Sequence, residues 1–212
     1  MDERRHGVEL LTTVLDAAHE ARADLVVLAG DIFDHNRVAL EVLDLAADAL
    51  ATASTRVVIL PGNHDCLTAD SVYRRGRFGH LRDVHVLGVT AEQSALFPDL
   101  ELEVWGRAHL DHFDMTPLRD PPPRQLRWQV AAAHGHWVTG PHDAHRAYLL
   151  HDHEIEATGA DYVALGHWDT WTSVGAGAVP AYYSGSPTLA KSVNLIELGH
   201  AEGARVTRLP LA

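Results

Sequence analysis

The sequence is poor in cysteine, in long apolar runs and in basic charge, and the first two shortages exclude whole classes of protein. A single cysteine, Cys66, cannot form an internal disulfide, and the lack of paired cysteines excludes a thiolate zinc site. No apolar run approaches the roughly 18 residues that span a bilayer. The first residues, Met1 to His6, lack the apolar core of a secretory signal. We therefore expect a cytoplasmic protein with no membrane segment.

Basic charge is scarce, with 17 Lys and Arg against 29 Asp and Glu and a formal net charge of −12 at pH 7. Proteins bind nucleic acid largely by neutralising phosphates, so a nucleic-acid substrate would need local basic patches, metal ions or a partner.

Histidine is plentiful at 16 residues, and neutral imidazole is a ligand for zinc, manganese and iron. A length of 212 residues suits one domain with a well-buried core.

Helix and strand patterns alternate along the chain and predict an α/β fold. Apolar residues recur at helical spacing from Arg4 to Ala21 and from about Val38 to Ala53. The short apolar runs Leu25–Ala29 and Val57–Leu60 are typical of buried parallel strands. The remaining pattern predicts strands at Val84–Leu87, Leu102–Trp105, Gln129–Ala133 and Tyr162–Leu165, a surface loop at Pro117–Arg124 and a hairpin over residues 193–209.

Four of the predicted strands end in polar side chains. In chain order these are Asp31, Asn63 with His64, His134, and His167 with Asp169. Side chains at the carboxyl ends of neighbouring strands converge on one crevice in open α/β sheets. Carboxylate, amide oxygen and imidazole together form a donor set for manganese, iron or zinc. The sequence therefore predicts a divalent-metal site at these strand ends.

The same residues carry a resemblance to a known family. The strings Gly30–Asp34, Gly62–Asp65, His134-Gly135 and Gly166–Asp169 resemble the ordered motifs of calcineurin-like metallophosphoesterases. With the tail Ala181–Pro187, they are most similar to the SbcD-type DNA repair exonucleases. Each string alone is a weak signal, but four in order are a specific one. The resemblance implies a β-sandwich flanked by helices, divalent ions (manganese first, with iron or zinc as alternatives) and hydrolysis of a phosphodiester.

The resemblance also implies roles for individual residues. Asp31 looks like the carboxylate that bridges two metal ions, and the other ligands of the second ion would be Asn63, His134 and His167. His64 is similar to the general acid that acts on the scissile phosphate, and Asp65 would orient its imidazole. Asp169 stands where the family usually has a second histidine, and its carboxylate would ligate the first ion. Such a pair of ions would activate a bridging water.

One departure from the family pattern concerns the start of the chain. The opening D-x-H motif should precede the helix at Arg4–Ala21, and no such string stands before that helix. The first strand and two ligands of the first ion would then be missing, which would leave an exposed sheet edge. The chain either begins at an internal methionine of a longer protein or has degenerated toward a single-metal or non-catalytic form. We expect one domain over residues 1–212, N-terminally incomplete and without a C-terminal capping domain.

Three functions remain open at this point. The first is an exonuclease-like phosphodiesterase for nucleic acid, for which the resemblance implies an SbcC-like ATPase partner. The others are a stand-alone phosphodiesterase for small nucleotides and a catalytically impaired binding module.

Asp34, His35 and His136 lie near the motifs, either as structural residues, which we favour, or as helpers of the metal site. Four tryptophans near the loops either stack on bases or pack internally: Trp128, Trp137, Trp168 and Trp171.

Overall fold

The elements alternate between helix and strand at first and are mostly strands afterwards. The structure, a computed structural model, describes residues 3–200 and 203–211. No helix in these ranges is long and apolar enough to cross a bilayer. The helices are α1 (Glu3–Glu20), α2 (Leu40–Thr52), α3 (Val72–Arg75), α4 (Asp152–Ala157) and α5 (Pro187–Ala190). The strands are β1 (Leu25–Ala29), β2 (Arg56–Leu60), β3 (Val84–Val86), β4 (Ser94–Phe97), β5 (Leu102–Gly106), β6 (Trp128–His134), β7 (His136–Trp137), β8 (Leu149–Leu150), β9 (Tyr162–Gly166), β10 (Thr172–Val174), β11 (Ala181–Tyr183), β12 (Ser192–His200) and β13 (Gly203–Pro210).

The strands form two main sheets. A three-stranded parallel sheet has the order β1-β2-β3, and a six-stranded mixed sheet has the order β10-β11-β9-β6-β5-β4. In the larger sheet β11, β9, β6 and β5 run parallel, while β10 and β4 are antiparallel edge strands. The pairing of His134 with Gly166 places the carboxyl ends of β6 and β9 side by side. Two further pairs, β12-β13 and β7-β8, complete the strand set of the described residues.

The two main sheets pack face to face with helices on the outside. One apolar cluster lies between them and joins Val58 and Leu60 of β2 to residues of β5, β6 and β9. A second cluster lies on the outer face of the small sheet, where α2 buries Leu43 and Leu50 and α1 buries Leu11. Strand β2 is buried on both faces, which explains its continuous apolar run. The predicted α/β sandwich flanked by helices is confirmed.

The predicted elements agree with the structure to within two residues at each end, the usual uncertainty of element boundaries. The helix predicted from Arg4 is α1, and the predicted hairpin is β12-β13, although its Ala201 and Glu202, like Met1 and Asp2, lie outside the described residues. Strands β4, β7, β8, β10 and β11 were not predicted. Each has only two to four residues, too few for an apolar period to be recognised.

A cleft of about 1610 Å³ runs beside β1. Its walls come from α1, β1, β9 and the β12-β13 hairpin, and its end is formed by Asp31, His134 and His167. Within the described residues β1 pairs only with β2, so its other edge is unpaired on the cleft side. The cleft therefore joins an open sheet edge to the strand ends that carry the predicted metal ligands.

Candidate metal centre

Four side chains from four strand ends meet in one place. Nε2 of His134 lies 3.0 Å from Oδ2 of Asp31 and 3.0 Å from Oδ1 of Asn63. Nδ1 of His167 lies 3.3 Å from the same Asn63 oxygen. Ligand atoms of Asp31, His134 and His167 all lie within 4.8 Å of one another. The structure thus brings together the four residues that the sequence assigned to the second metal ion.

The donor set fits a divalent cation. Ligand atoms about 2.1 Å from an ion and at right angles to each other are about 3.0 Å apart, which is the spacing observed around His134. One carboxylate, one amide oxygen and two imidazoles suit manganese, iron or zinc. Nδ1 of His134 is 2.9 Å from the carbonyl of Ala29, to which it donates, and this contact directs Nε2 to the centre.

Two glycines allow the ligand side chains to come this close. Gly30 has φ of 92°, and a Cβ there would overlap the imidazole of His134. A Cβ on Gly62 would overlap the carboxylate of Asp31. Any other residue at either position would push the ligands apart, which explains why glycine precedes Asp31 and Asn63 in the motifs.

The pKa values of Asp31, His134 and His167 are shifted by burial and by one another in ways that suit cation binding. Burial raises the pKa of Asp31, but the hydrogen bond and charge of His134 outweigh it and hold this pKa below 3.8. Burial lowers the pKa of His134, but the hydrogen bond and charge of Asp31 bring it above 6.5. Desolvation and the charge of His134 lower the pKa of His167 to about 4. At neutral pH the carboxylate is ionised and His167 is neutral, while a cation competes with the proton that Asp31 stabilises on His134.

His64 lies beside the ligand atoms and is exposed. Its backbone N–H donates to Oδ1 of Asp31 over 2.9 Å. Its Nδ1 is 2.9 Å from the carbonyl of Asp34, an acceptor, so Nδ1 carries a proton. Nε2 is thereby left as the atom that can meet a substrate phosphate.

The arrangement can be compared with known proteins. The family model described as calcineurin-like phosphoesterase matches residues 6–169. The chain belongs to the calcineurin-like phosphoesterase family. Members of this family use divalent metal ions, and the group of Asp31, His134 and His167 could hold one.

The structural comparison agrees on the fold. One solved crystal structure is similar with a TM-score of 0.65 and 14% sequence identity, over 96% of this chain and 94% of that one. At this identity the likeness establishes a shared fold alone. No curated protein matches the chain in sequence.

Asp65 has a different place in this phosphoesterase from the one expected. It is fully buried, and its Oδ1 accepts from the N–H of Gly62 over 2.7 Å. Its Oδ2 accepts from the N–H of Ile32 over 2.9 Å and from the hydroxyl of Tyr73 over 2.6 Å. The expected contact with the His64 imidazole is absent, and the carbonyl of Asp34 orients that ring instead. Asp65 ties the loop after β1 to the loop after β2.

Asp169 is not brought to the cluster. Asp169 is exposed, and its backbone carbonyl accepts from the N–H of Ser186 over 3.0 Å. Among the described residues, the one group of three or more acidic, histidine or cysteine side chains that can hold an ion is that of Asp31, His134 and His167. The sequence assigned Asp169 to the first metal ion, and the structure shows no such group around it.

Several neighbours of the motifs have structural contacts. Asp34 and His35 are exposed on the wall of the cleft. Both ring nitrogens of His136 are engaged, by Trp168 and Asp143, so His136 is not a substitute ligand. The other tryptophans pack or bond internally, the second of the two alternatives, and Cys66 is fully buried.

Sequence reasoning missed His109, which lies directly under the centre. Its Nε2 donates to the backbone carbonyl of His134 over 2.9 Å, and its ring contacts Tyr148 with centroids 4.5 Å apart. Burial holds its pKa below 6.5, so it supports His134 as a neutral ring. The contact spans 25 positions of sequence, and no local pattern signals it.

Proposed function

We propose that the chain hydrolyses phosphodiesters at a divalent ion, preferably manganese, held by Asp31, Asn63, His134 and His167. The observation that carries this proposal is the convergence of four donors from four strand ends at 3.0–3.3 Å. Oxygen donors beside imidazole favour manganese or iron, and exchange with zinc is an outcome that the metal test can detect.

The chain's own residues divide the remaining work. A bound ion supplies Lewis-acid charge and lowers the pKa of a water. Asp31 and His134 hold the donor atoms 3.0 Å apart, while Nε2 of His64 makes no hydrogen bond to the described part of the chain. A protonated Nε2 donates to the leaving oxygen of the diester, the usual task of a positioned general acid.

Two substrate classes are compatible with this chemistry. The resemblance of the motifs to the repair exonucleases favours a nucleic-acid diester. The net charge of −12 favours a small diester, because a strongly acidic surface repels a polyanion unless a partner supplies basic contacts. An ATPase partner of the kind that the resemblance implies would supply those basic contacts and so permit a nucleic-acid substrate.

The decisive experiment follows manganese binding and the hydrolysis of bis(p-nitrophenyl) phosphate in parallel. We expect slow, manganese-dependent turnover that Asp31→Asn abolishes, since this change removes the charge that the ion needs. Turnover independent of metal would overturn the proposal. Metal binding without turnover would support the impaired binding module. With turnover established, a nuclease assay on single- and double-stranded DNA separates the two substrate classes.

A further inference from the structure

The backbone of His167 adopts a conformation that needs support. Its φ is 103°, in the region that favours glycine. A non-glycine residue persists there only where its surroundings over-determine it. Although His167 is exposed, its ring meets those of His134, His136 and Tyr148 at centroid distances of 5.2, 6.2 and 6.4 Å. The next residue, Trp168, supplies further support through the contacts of its ring.

Three contacts fix the ring of Trp168. It stacks on Tyr183 with centroids 4.9 Å apart and planes at 12°, and it meets the ring of Trp137 at 6.1 Å. Its Nε1–H donates to Nδ1 of His136 over 3.2 Å. Tyr183 in turn donates its hydroxyl to the carbonyl of Gly135 over 2.7 Å. The loop that follows β9 is thus tied to the segment that follows β6.

His136 is itself anchored on its far side. An indole N–H can only donate, so Nδ1 of His136 accepts and Nε2 carries the proton. That proton is donated to Oδ1 of Asp143 over 3.1 Å. Asp143 is buried and also accepts from the N–H and hydroxyl of Thr139 over 2.7 and 2.9 Å. The tautomer and the orientation of His136 are therefore both set.

We propose that His136 is a positioning residue for the metal centre, which holds Trp168 and through it the turn that directs His167 toward the other ligands. The inference rests on the proposed function, since it takes His167 as a ligand. Partners that orient metal ligands from outside the coordination shell typically cost 10–100-fold in metal affinity when removed. His136 acts mainly through Trp168, the residue next to the ligand, and its own ring also lies edge-on to that of His167 with centroids 6.2 Å apart.

The first test compares two substitutions at His136 in the full chain. His136→Leu removes the acceptor for Trp168, whereas His136→Asn keeps a carbonyl oxygen close to the position of Nδ1. We expect His136→Leu to weaken manganese binding by roughly 10–100-fold and His136→Asn to recover most of it. Affinity is measured by isothermal titration, and folding is checked by circular dichroism of the metal-free proteins.

A matched pair of tryptophans separates positioning from packing. Trp168→Phe removes the N–H that His136 accepts, and Trp137→Phe removes an N–H that donates away from the centre, to Asp152 over 2.7 Å. We expect only Trp168→Phe to weaken manganese binding. In the metal-free protein, the Trp168 indole N–H resonance should exchange slowly with solvent, and this protection should persist in His136→Asn and vanish in His136→Leu.

The outcomes distinguish this inference from the proposed function. Manganese affinities of His136→Leu or Trp168→Phe equal to that of the unsubstituted protein would overturn the positioning role and leave the metal site intact. Equal losses in the Leu and Asn variants, or in Trp168→Phe and Trp137→Phe, would show that packing is responsible and would also overturn it. Failure of the unsubstituted protein to bind manganese would overturn both.

Discussion

At the scale of single residues, His64 and His134 both contact Asp31 but serve different purposes. His134 is fully buried with Nε2 among the ligand atoms, whereas His64 is exposed and touches Asp31 only through its backbone N–H. We predict that His64→Ala lowers kcat by roughly 10²–10⁴-fold, the range of a positioned acid, and leaves bound manganese nearly unchanged. His134→Ala should instead lose the metal. Kinetics and metal analysis in one buffer test both variants, and equal loss of metal would identify His64 as a ligand.

The coupled pair of Asp31 and His134 sets a pH dependence. The pKa of His134 lies above 6.5 and that of His167 near 4, while the pKa of Asp31 is below 3.8. Between about pH 4.5 and the pKa of His134, a binding ion therefore displaces one proton and not two. We predict that the logarithm of manganese affinity rises with a slope of about one over pH 5.5–6.5. Titration in buffers of different ionisation enthalpy measures the protons released, and two protons per ion would contradict the assignment.

The raised pKa of His134 also makes the stability of the metal-free protein depend on pH, and this stability falls as the pH rises. A histidine whose pKa is raised by folding contributes stability that is fully present below pH 6.5 and is lost as the pH rises through its folded pKa. The metal-free protein should thus lose part of its stability in the pH range where its metal affinity is highest. A bound ion replaces the proton and offsets this loss.

At the scale of elements, the loops after β1 and β2 are joined through Asp65. The hydroxyl of Tyr73, from α3, is the one side-chain donor to this buried carboxylate among the described residues. We predict that Tyr73→Phe lowers the free energy of unfolding by about 1–3 kcal/mol, because a buried carboxylate loses a partner. Tyr182→Phe is the control, since its hydroxyl bonds to no protein group in residues 3–200 and 203–211. Urea unfolding measures both, and equal effects would contradict this account.

Sequence patterns at the scale of elements predicted the helices and strands of the sandwich because its sheet strands are short continuous apolar runs. Leu25–Ala29 and Val57–Leu60 are continuous apolar runs, and each ends where a ligand begins. Parallel neighbours bring such ends together within each sheet, β1 beside β2 and β6 beside β9, and the packing of the two sheets brings the two pairs of ligands into one cluster. The resemblance to the family supplied the individual roles.

The features that the sequence did not reveal depend on contacts between distant segments. Asp65 was assigned to the neighbouring His64, yet its partners include Ile32 and Tyr73, which a rule based on adjacency cannot find. The bond of Trp168 to His136 spans 32 positions, and that of His109 to the His134 carbonyl spans 25. Polar contacts of this kind depend on the packed fold and produce no periodic pattern in the sequence.

At the scale of the whole molecule, one question is how many ions the protein holds. The described residues contain one group of three acidic or histidine side chains within ligand distance, and Asp169 lies outside it. Activation of water by a pair of ions needs both sites filled. The described residues therefore offer one site for an ion beside the cleft, and we expect a slow reaction.

We predict that the 212-residue chain binds one manganese ion per molecule and turns over aryl phosphodiesters slowly even with excess metal. Asp169→Asn should leave both the stoichiometry and the rate unchanged, whereas Asp31→Asn should abolish binding. Mass spectrometry under native conditions counts the ions, and initial rates are taken across a manganese series. Two ions per chain, with fast turnover that is lost in Asp169→Asn, would show that Asp169 moves to complete a second site when metal is present.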